Sequence, residues 1–122
     1  MNQSALILIA HGSKDPRWRV PFEKLIKKLK LEVGENQVFL CYMEFAEPTL
    51  MDVSKQAVQT GVRSARLLPL FMAGGAHLDK DIPPMIQAVQ KEFPSFSIEL
   101  LPAIGEHPRF SKLIYEIAAE AT

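Results

Sequence analysis

Cysteine is almost missing from this chain: Cys41 is the single one in 122 residues. An internal disulfide is therefore excluded, and so are cysteine-rich zinc motifs. Cys41 sits in the apolar run Val38-Phe39-Leu40-Cys41-Tyr42-Met43, where a free cysteine behaves as a small buried hydrophobe. Excess charge is missing too, with 14 basic against 14 acidic residues. Such a balance argues against nucleic acid or an anionic membrane surface as partner. No apolar run approaches the ~20 residues of a membrane span. The N-terminal run Ala5 to Ala10 carries no basic flank and ends in a histidine, so no secretory leader is expected and a cytoplasmic protein is. Gly12-Ser13-Lys14 lacks the spacing of a phosphate-cradling loop, and no G-x-G-x-x-G follows a strand.

What is present is an alternation of strand-like and helix-like segments. Strands are expected at about Ala5–Ala10, Gln37–Met43, Arg66–Met72 and Ser97–Leu101. The first has no polar alternation, as suits a parallel strand buried on both faces. Pro69 within the third predicts a local irregularity, because proline cannot donate to a ladder. Helices are expected from Pro16 to Gly34, with Asp15 as cap and Phe22, Leu25, Ile26 and Leu29 as apolar stripe; from Pro48 to Thr60; from Asp79 to Phe93; and from Pro108 onward, carrying Phe110, Leu113, Ile114 and Ile117. The length predicts one domain over residues 1–122. The alternation predicts an α/β fold, a doubly wound four-stranded parallel sheet flanked by helices. A common strand order for four such units is 2-1-3-4, which places the topological switch point between the first and third strands.

Two histidines follow those two strands. His11 opens His11-Gly12-Ser13-Lys14, and His77 closes Gly74-Gly75-Ala76-His77. Either could be an ordinary turn residue. The adjoining glycines, which permit close approach of backbone to a ligand, favour a binding edge. Imidazole is the commonest metal ligand and titrates near neutral pH. Glu44, just past the second strand, belongs to the same edge but farther from the switch point; it is a candidate proton acceptor or metal ligand. His107, before Pro108, reads as structural. A histidine phosphatase would usually carry Arg before His-Gly, where this chain has Ala10.

Taken together, Ala10-His11-Gly12-Ser13, Met43-Glu44 with Glu47-Pro48-Thr49-Leu50, Leu68-Pro69-Leu70-Phe71 through Gly75-Ala76-His77 to Asp81-Ile82-Pro83, and Gly105-Glu106-His107-Pro108 resemble the small CbiX-type sirohydrochlorin chelatases. The resemblance spans nearly the whole chain and implies a chelatase-like half-domain. It implies ATP-independent insertion of Co2+, Fe2+ or Ni2+ into sirohydrochlorin, with no cofactor beyond that metal substrate. His11 and His77 match the family's metal-site histidines, and Glu44 its acidic residue. Gly12, Ser13, Lys14, Gly74, Gly75 and Ala76 would line the substrate. Lys14, Arg17, Arg19 and Lys80 could meet its carboxylates. A non-enzymatic metal or tetrapyrrole carrier and a flavodoxin-like binding module are the competing classes. Larger relatives join two such units around a cleft, so a homodimer holding the tetrapyrrole between subunits is expected.

Overall fold

A computed structural model describes residues 4–75 and 80–122. Its strands are β1 (Ser4–Ala10), β2 (Val38–Tyr42), β3 (Ser64–Pro69) and β4 (Ser97–Leu100). Between them run α1 (Pro16–Val33), α2 (Leu50–Gln59) and α3 (Ile82–Glu92), and α4 (Pro108–Ala121) closes the chain. The strands form one parallel sheet, as the alternation predicts, in the common order β2-β1-β3-β4. Among the described residues, no helix is long and apolar enough to cross a membrane.

Alternate side chains of each strand serve opposite faces of the sheet. Ile7, Ile9, Phe39, Cys41 and Leu67 pack with α2 and α3, joining Leu50, Val53, Ala57, Ile82 and Val89. Leu8, Ala10, Leu40 and Tyr42 face the other way, against Trp18, Phe22, Ile26 and Leu29 of α1. Each fully buried aliphatic side chain contributes roughly 1.5–3 kcal/mol. Asp15 caps α1 by accepting from the Arg17 amide at 2.9 Å, and Pro16 starts the helix.

Several boundaries differ from the sequence expectation. β3 stops at Pro69, so Leu70, Phe71 and Met72 lie beyond it. α2 begins at Leu50 rather than Pro48, because Thr49 and Asp52 form a reciprocal capping box. α3 begins at Ile82; Asp79 lies outside the described residues. Leu25 is 41% exposed on the flank of α1; Trp18, spaced four before Phe22, takes its place in the stripe. α4 buries none of its residues.

Candidate functional site

The candidate site lies where β1, β2 and β3 end together. Two strand-like hydrogen bonds extend the β1–β2 ladder beyond the strands: Met43 N donates to Ala10 O at 2.9 Å, and Glu44 N to His11 O at 3.1 Å. The backbones stay adjacent, so the side chains meet. His11 Nδ1 lies 3.7 Å from Glu44 Oε1. The order of strands alone puts Glu44 farther from the switch point; the continued ladder brings it to His11. Their side chains are 42% and 49% exposed, accessible to a ligand yet held on one side.

Gly12 makes this approach possible. Its φ is +107°, and a Cβ there would collide with the Glu44 carbonyl oxygen. Phe45, with φ of 63°, turns the chain on the other side. Ser13 Oγ accepts from Asp15 N at 3.1 Å, so Ser13 fastens the loop to the start of α1. Lys14 Nζ stands 5.3 Å from the Phe45 ring centroid, a cation–π distance.

Beyond Pro69 the chain continues along the same edge. Leu70 N still donates to Ile9 O at 2.9 Å. The Phe71 ring then comes within 6.3 Å of the His11 ring, centroid to centroid. Gly74 N donates to Glu106 Oε1 at 3.0 Å, and Gly105 N donates to Phe71 O at 2.9 Å. The segment leading toward His77 is thus tied to the turn before α4. Gly75 has φ of +147° with open space around it. Ala76 and His77 lie outside the described residues. Among the described residues, no cluster of three His, Cys, Asp or Glu forms.

Sequence reasoning missed Phe71 and Glu106. Phe71 reads as core until Pro69 ends the strand, and Glu106 acts through a contact 32 residues away. The cations proposed for substrate carboxylates are already engaged in part. Arg17 clasps Asp15 through Nε at 3.1 Å and Nη2 at 2.9 Å, holding that carboxyl below its ordinary range. Arg19 Nη1 reaches Ser13 O at 3.5 Å. Lys80 borders a hollow of about 320 Å³ with Met43, Glu44, Asp81, Pro84 and Met85. His107 is structural, as expected: its Nδ1 accepts from Arg109 N at 3.1 Å and caps α4.

This geometry can be set beside known proteins. The CbiX family model matches residues 5–121. The chain is 35% identical to a sirohydrochlorin cobaltochelatase of Methanocaldococcus jannaschii over 70% of its own length and 60% of that protein's. It is 30% identical to a chloroplastic sirohydrochlorin ferrochelatase of Arabidopsis thaliana, over 84% of this chain and 45% of that one. The matched region thus spans about half the length of these relatives. A crystal structure of a CbiX protein from Marinobacter aquaeolei superposes with a TM-score of 0.84 at 37% identity, covering 97% of this chain and 96% of that one.

Proposed function

The chain belongs to the CbiX family, and from that premise we propose that it inserts a divalent metal into sirohydrochlorin without ATP, as a single chelatase-like α/β unit. Co2+ and Fe2+ are the first candidates, because the relatives it resembles are named for cobalt and for iron; Ni2+ is the third, since it also accepts imidazole. No resident cofactor is part of this proposal, and the cytoplasm is its proposed location.

The observation that carries the reading is the His11–Glu44 pair on the strand-end edge. Insertion exchanges one M2+ for two pyrrole N–H protons, so the site needs a transient metal ligand and proton acceptors. A neutral imidazole serves both needs, one at a time. After His11 takes a proton, Glu44 at 3.7 Å stabilises the imidazolium. With both groups half exposed, that attraction is on the order of 1 kcal/mol. A two-sided grip from His11 and Glu44 leaves most of the metal's coordination positions for water and then for the four pyrrole nitrogens. The incoming macrocycle therefore displaces weakly held ligands, and its own four-nitrogen chelation drives the exchange. His77 is proposed as the second imidazole of the site and as acceptor of the second pyrrole proton, with Gly12, Ser13, Lys14, Gly74, Gly75 and Ala76 against the substrate.

A flat macrocycle needs a second wall, and one four-stranded unit offers an open edge. The working unit is therefore proposed to be a homodimer with sirohydrochlorin between two copies of this edge. Absorbance-monitored insertion into sirohydrochlorin tests the activity, comparing Co2+, Fe2+ and Ni2+. Multiple turnovers in the unmodified protein, lost in His11→Ala and in His77→Ala, are the expected result. Stoichiometric binding without turnover would replace the enzyme by a carrier, and full activity in either variant would remove that histidine from the mechanism.

A further inference from the structure

Apolar surface is exposed unevenly over this molecule. Among the described residues, large hydrophobic side chains open to solvent lie on α1, on α4 and at two loop positions, Phe45 and Met72. Both loop positions belong to the strand-end edge that holds the candidate site. Phe45 follows Glu44 in the loop after β2 and is 56% exposed. Met72 follows Phe71 in the segment after β3 and is 67% exposed. β1, with His11 at its end, runs between those two strands. Two exposed apolar side chains therefore flank the histidine, one on each neighbouring loop.

The core does not account for either of them. Neither Phe45 nor Met72 joins the two clusters of packed hydrophobic side chains. Phe45 is moreover held at φ of 63°, a conformation that glycine or asparagine adopts at lower cost than a bulky residue. Backbone strain of this kind collects where a side chain has to be presented to a ligand. Both backbones are fixed. Glu44 N donates to His11 O at 3.1 Å, and Tyr42 N to Pro48 O at 3.0 Å, which clamps the loop that carries Phe45. Gly105 packs so closely on the Met72 backbone that a Cβ would overlap it, and Gly105 N donates to Phe71 O. Exposed apolar side chains on a fixed backbone are what a preformed binding surface offers.

We propose that Phe45 and Met72 are two shoulders on which one face of the tetrapyrrole rests, with His11 between them. This rests on the function proposed above and names side chains that seat its substrate. Neighbouring strands stand roughly 4.8 Å apart, so shoulders rooted at β2 and β3 are about 10 Å apart across β1. That is close to the width of a tetrapyrrole core. A flat conjugated ring gains from aromatic and apolar contact over its face, while its carboxylates lie at the rim. Lys14 supplies the counterpart for the rim, because its Nζ is 5.3 Å from the Phe45 ring centroid. One grip thus offers a ring to the macrocycle face and an ammonium to a carboxylate. The two contributions differ in kind: the apolar one is indifferent to salt, and the ionic one is screened by it.

Absorbance titration with metal-free sirohydrochlorin tests the proposal without relying on turnover. Phe45→Asn keeps a residue that tolerates positive φ and removes the ring; Kd is expected to rise about tenfold. Met72→Gln keeps the length and removes the apolar surface, and a rise of about threefold is expected. Both losses should be as large in high salt as in low salt, with unfolding temperatures unchanged. Phe45→Tyr and Met72→Leu should recover most of the affinity. Leu31→Gln, at an 89% exposed position in the last turns of α1, is the control and should bind like the unmodified chain. Unchanged affinity in Phe45→Asn or in Met72→Gln would overturn the two-shouldered seat while metal insertion stands. So would a loss that vanishes in high salt, follows a lower unfolding temperature, or recurs in Leu31→Gln. Weakened binding in both variants of a protein that shows no turnover would uphold the seat and replace the enzyme by a carrier. An unmodified chain that does not bind sirohydrochlorin would end both.

Discussion

His11 and Glu44 face each other across 3.7 Å at the ends of neighbouring parallel strands, and their own backbones are bonded to one another, Glu44 N to His11 O. The pair is thus positioned by main-chain hydrogen bonds, and substitutions of either side chain should change chemistry more than fold.

Replacing His11 by alanine is expected to lower the insertion rate roughly 100- to 10,000-fold, the usual range for a lost proton acceptor. The half-exposed side chain contributes little to the core, so thermal unfolding of His11→Ala should track the unmodified protein. A melting point several degrees lower would mean that the histidine holds the loop.

Glu44→Gln keeps the shape and removes the charge. Insertion is expected to slow by about tenfold or less, in keeping with a half-exposed ion pair, while sirohydrochlorin binding stays largely unchanged. Rates measured with and without the substitution from pH 6 to 9 check this; coincident profiles would reduce Glu44 to a solvated carboxylate.

Gly12→Ala should be far more disruptive than either, although it removes no functional group. The positive φ alone costs about 1–3 kcal/mol for a residue with a Cβ, and the new methyl would meet the Glu44 carbonyl. The expected outcome is a lower unfolding temperature together with impaired insertion. Wild-type values of both would show that the ladder extension is not required.

Glu106→Ala removes the acceptor for the Gly74 amide. A loss of roughly two- to tenfold in insertion rate is expected, the kinetic weight of one weak hydrogen bond. Glu106→Gln should restore it, since an amide oxygen accepts as well. Equal rates in all three proteins would detach Glu106 from the site.

The buried interior makes two further predictions. Ser54 Oγ is fully buried with no hydrogen-bond partner among the described residues. Ser54→Ala, in the middle of α2, should therefore raise stability by about 1 kcal/mol in urea unfolding. Burial pushes the Cys41 thiol well above its ordinary range. The folded state holds that proton where the unfolded chain has released it, so this contribution to stability is complete below the unfolded thiol's value of about 8.5 and falls as pH rises past it. Thiol reagents should label Cys41 at the rate of global unfolding, and rapid labelling of the folded protein would contradict its burial.

Much of the framework was legible in the residues themselves. The unbroken apolar run of β1 announces a strand covered on both sides, and alternation with helices announces the parallel sheet, whose order is the common one for four such units. Other features depended on contacts that periodicity does not encode. Pro69 promised an irregularity, but only the fold shows that it ends β3 and lets Phe71 turn toward His11. The closeness of Glu44 to His11 depends on two positive-φ residues, Gly12 and Phe45, the second being one that propensity would not choose. The spacing of apolar residues marks α4 as amphipathic, yet the helix buries none of its residues. His77 was legible as a motif and lies outside the described residues.

The extended β1–β2 ladder also limits how the site can vary. Sliding one strand past its neighbour by a single residue moves them about 3.3 Å, almost the whole separation of the two side chains. If the proposed metal role holds, a change of metal preference would come from exchanging donor atoms on a fixed ruler, histidine for aspartate or glutamate for histidine, while insertions or deletions inside β1 or β2 would erase the graduation. The helices carry no such measure.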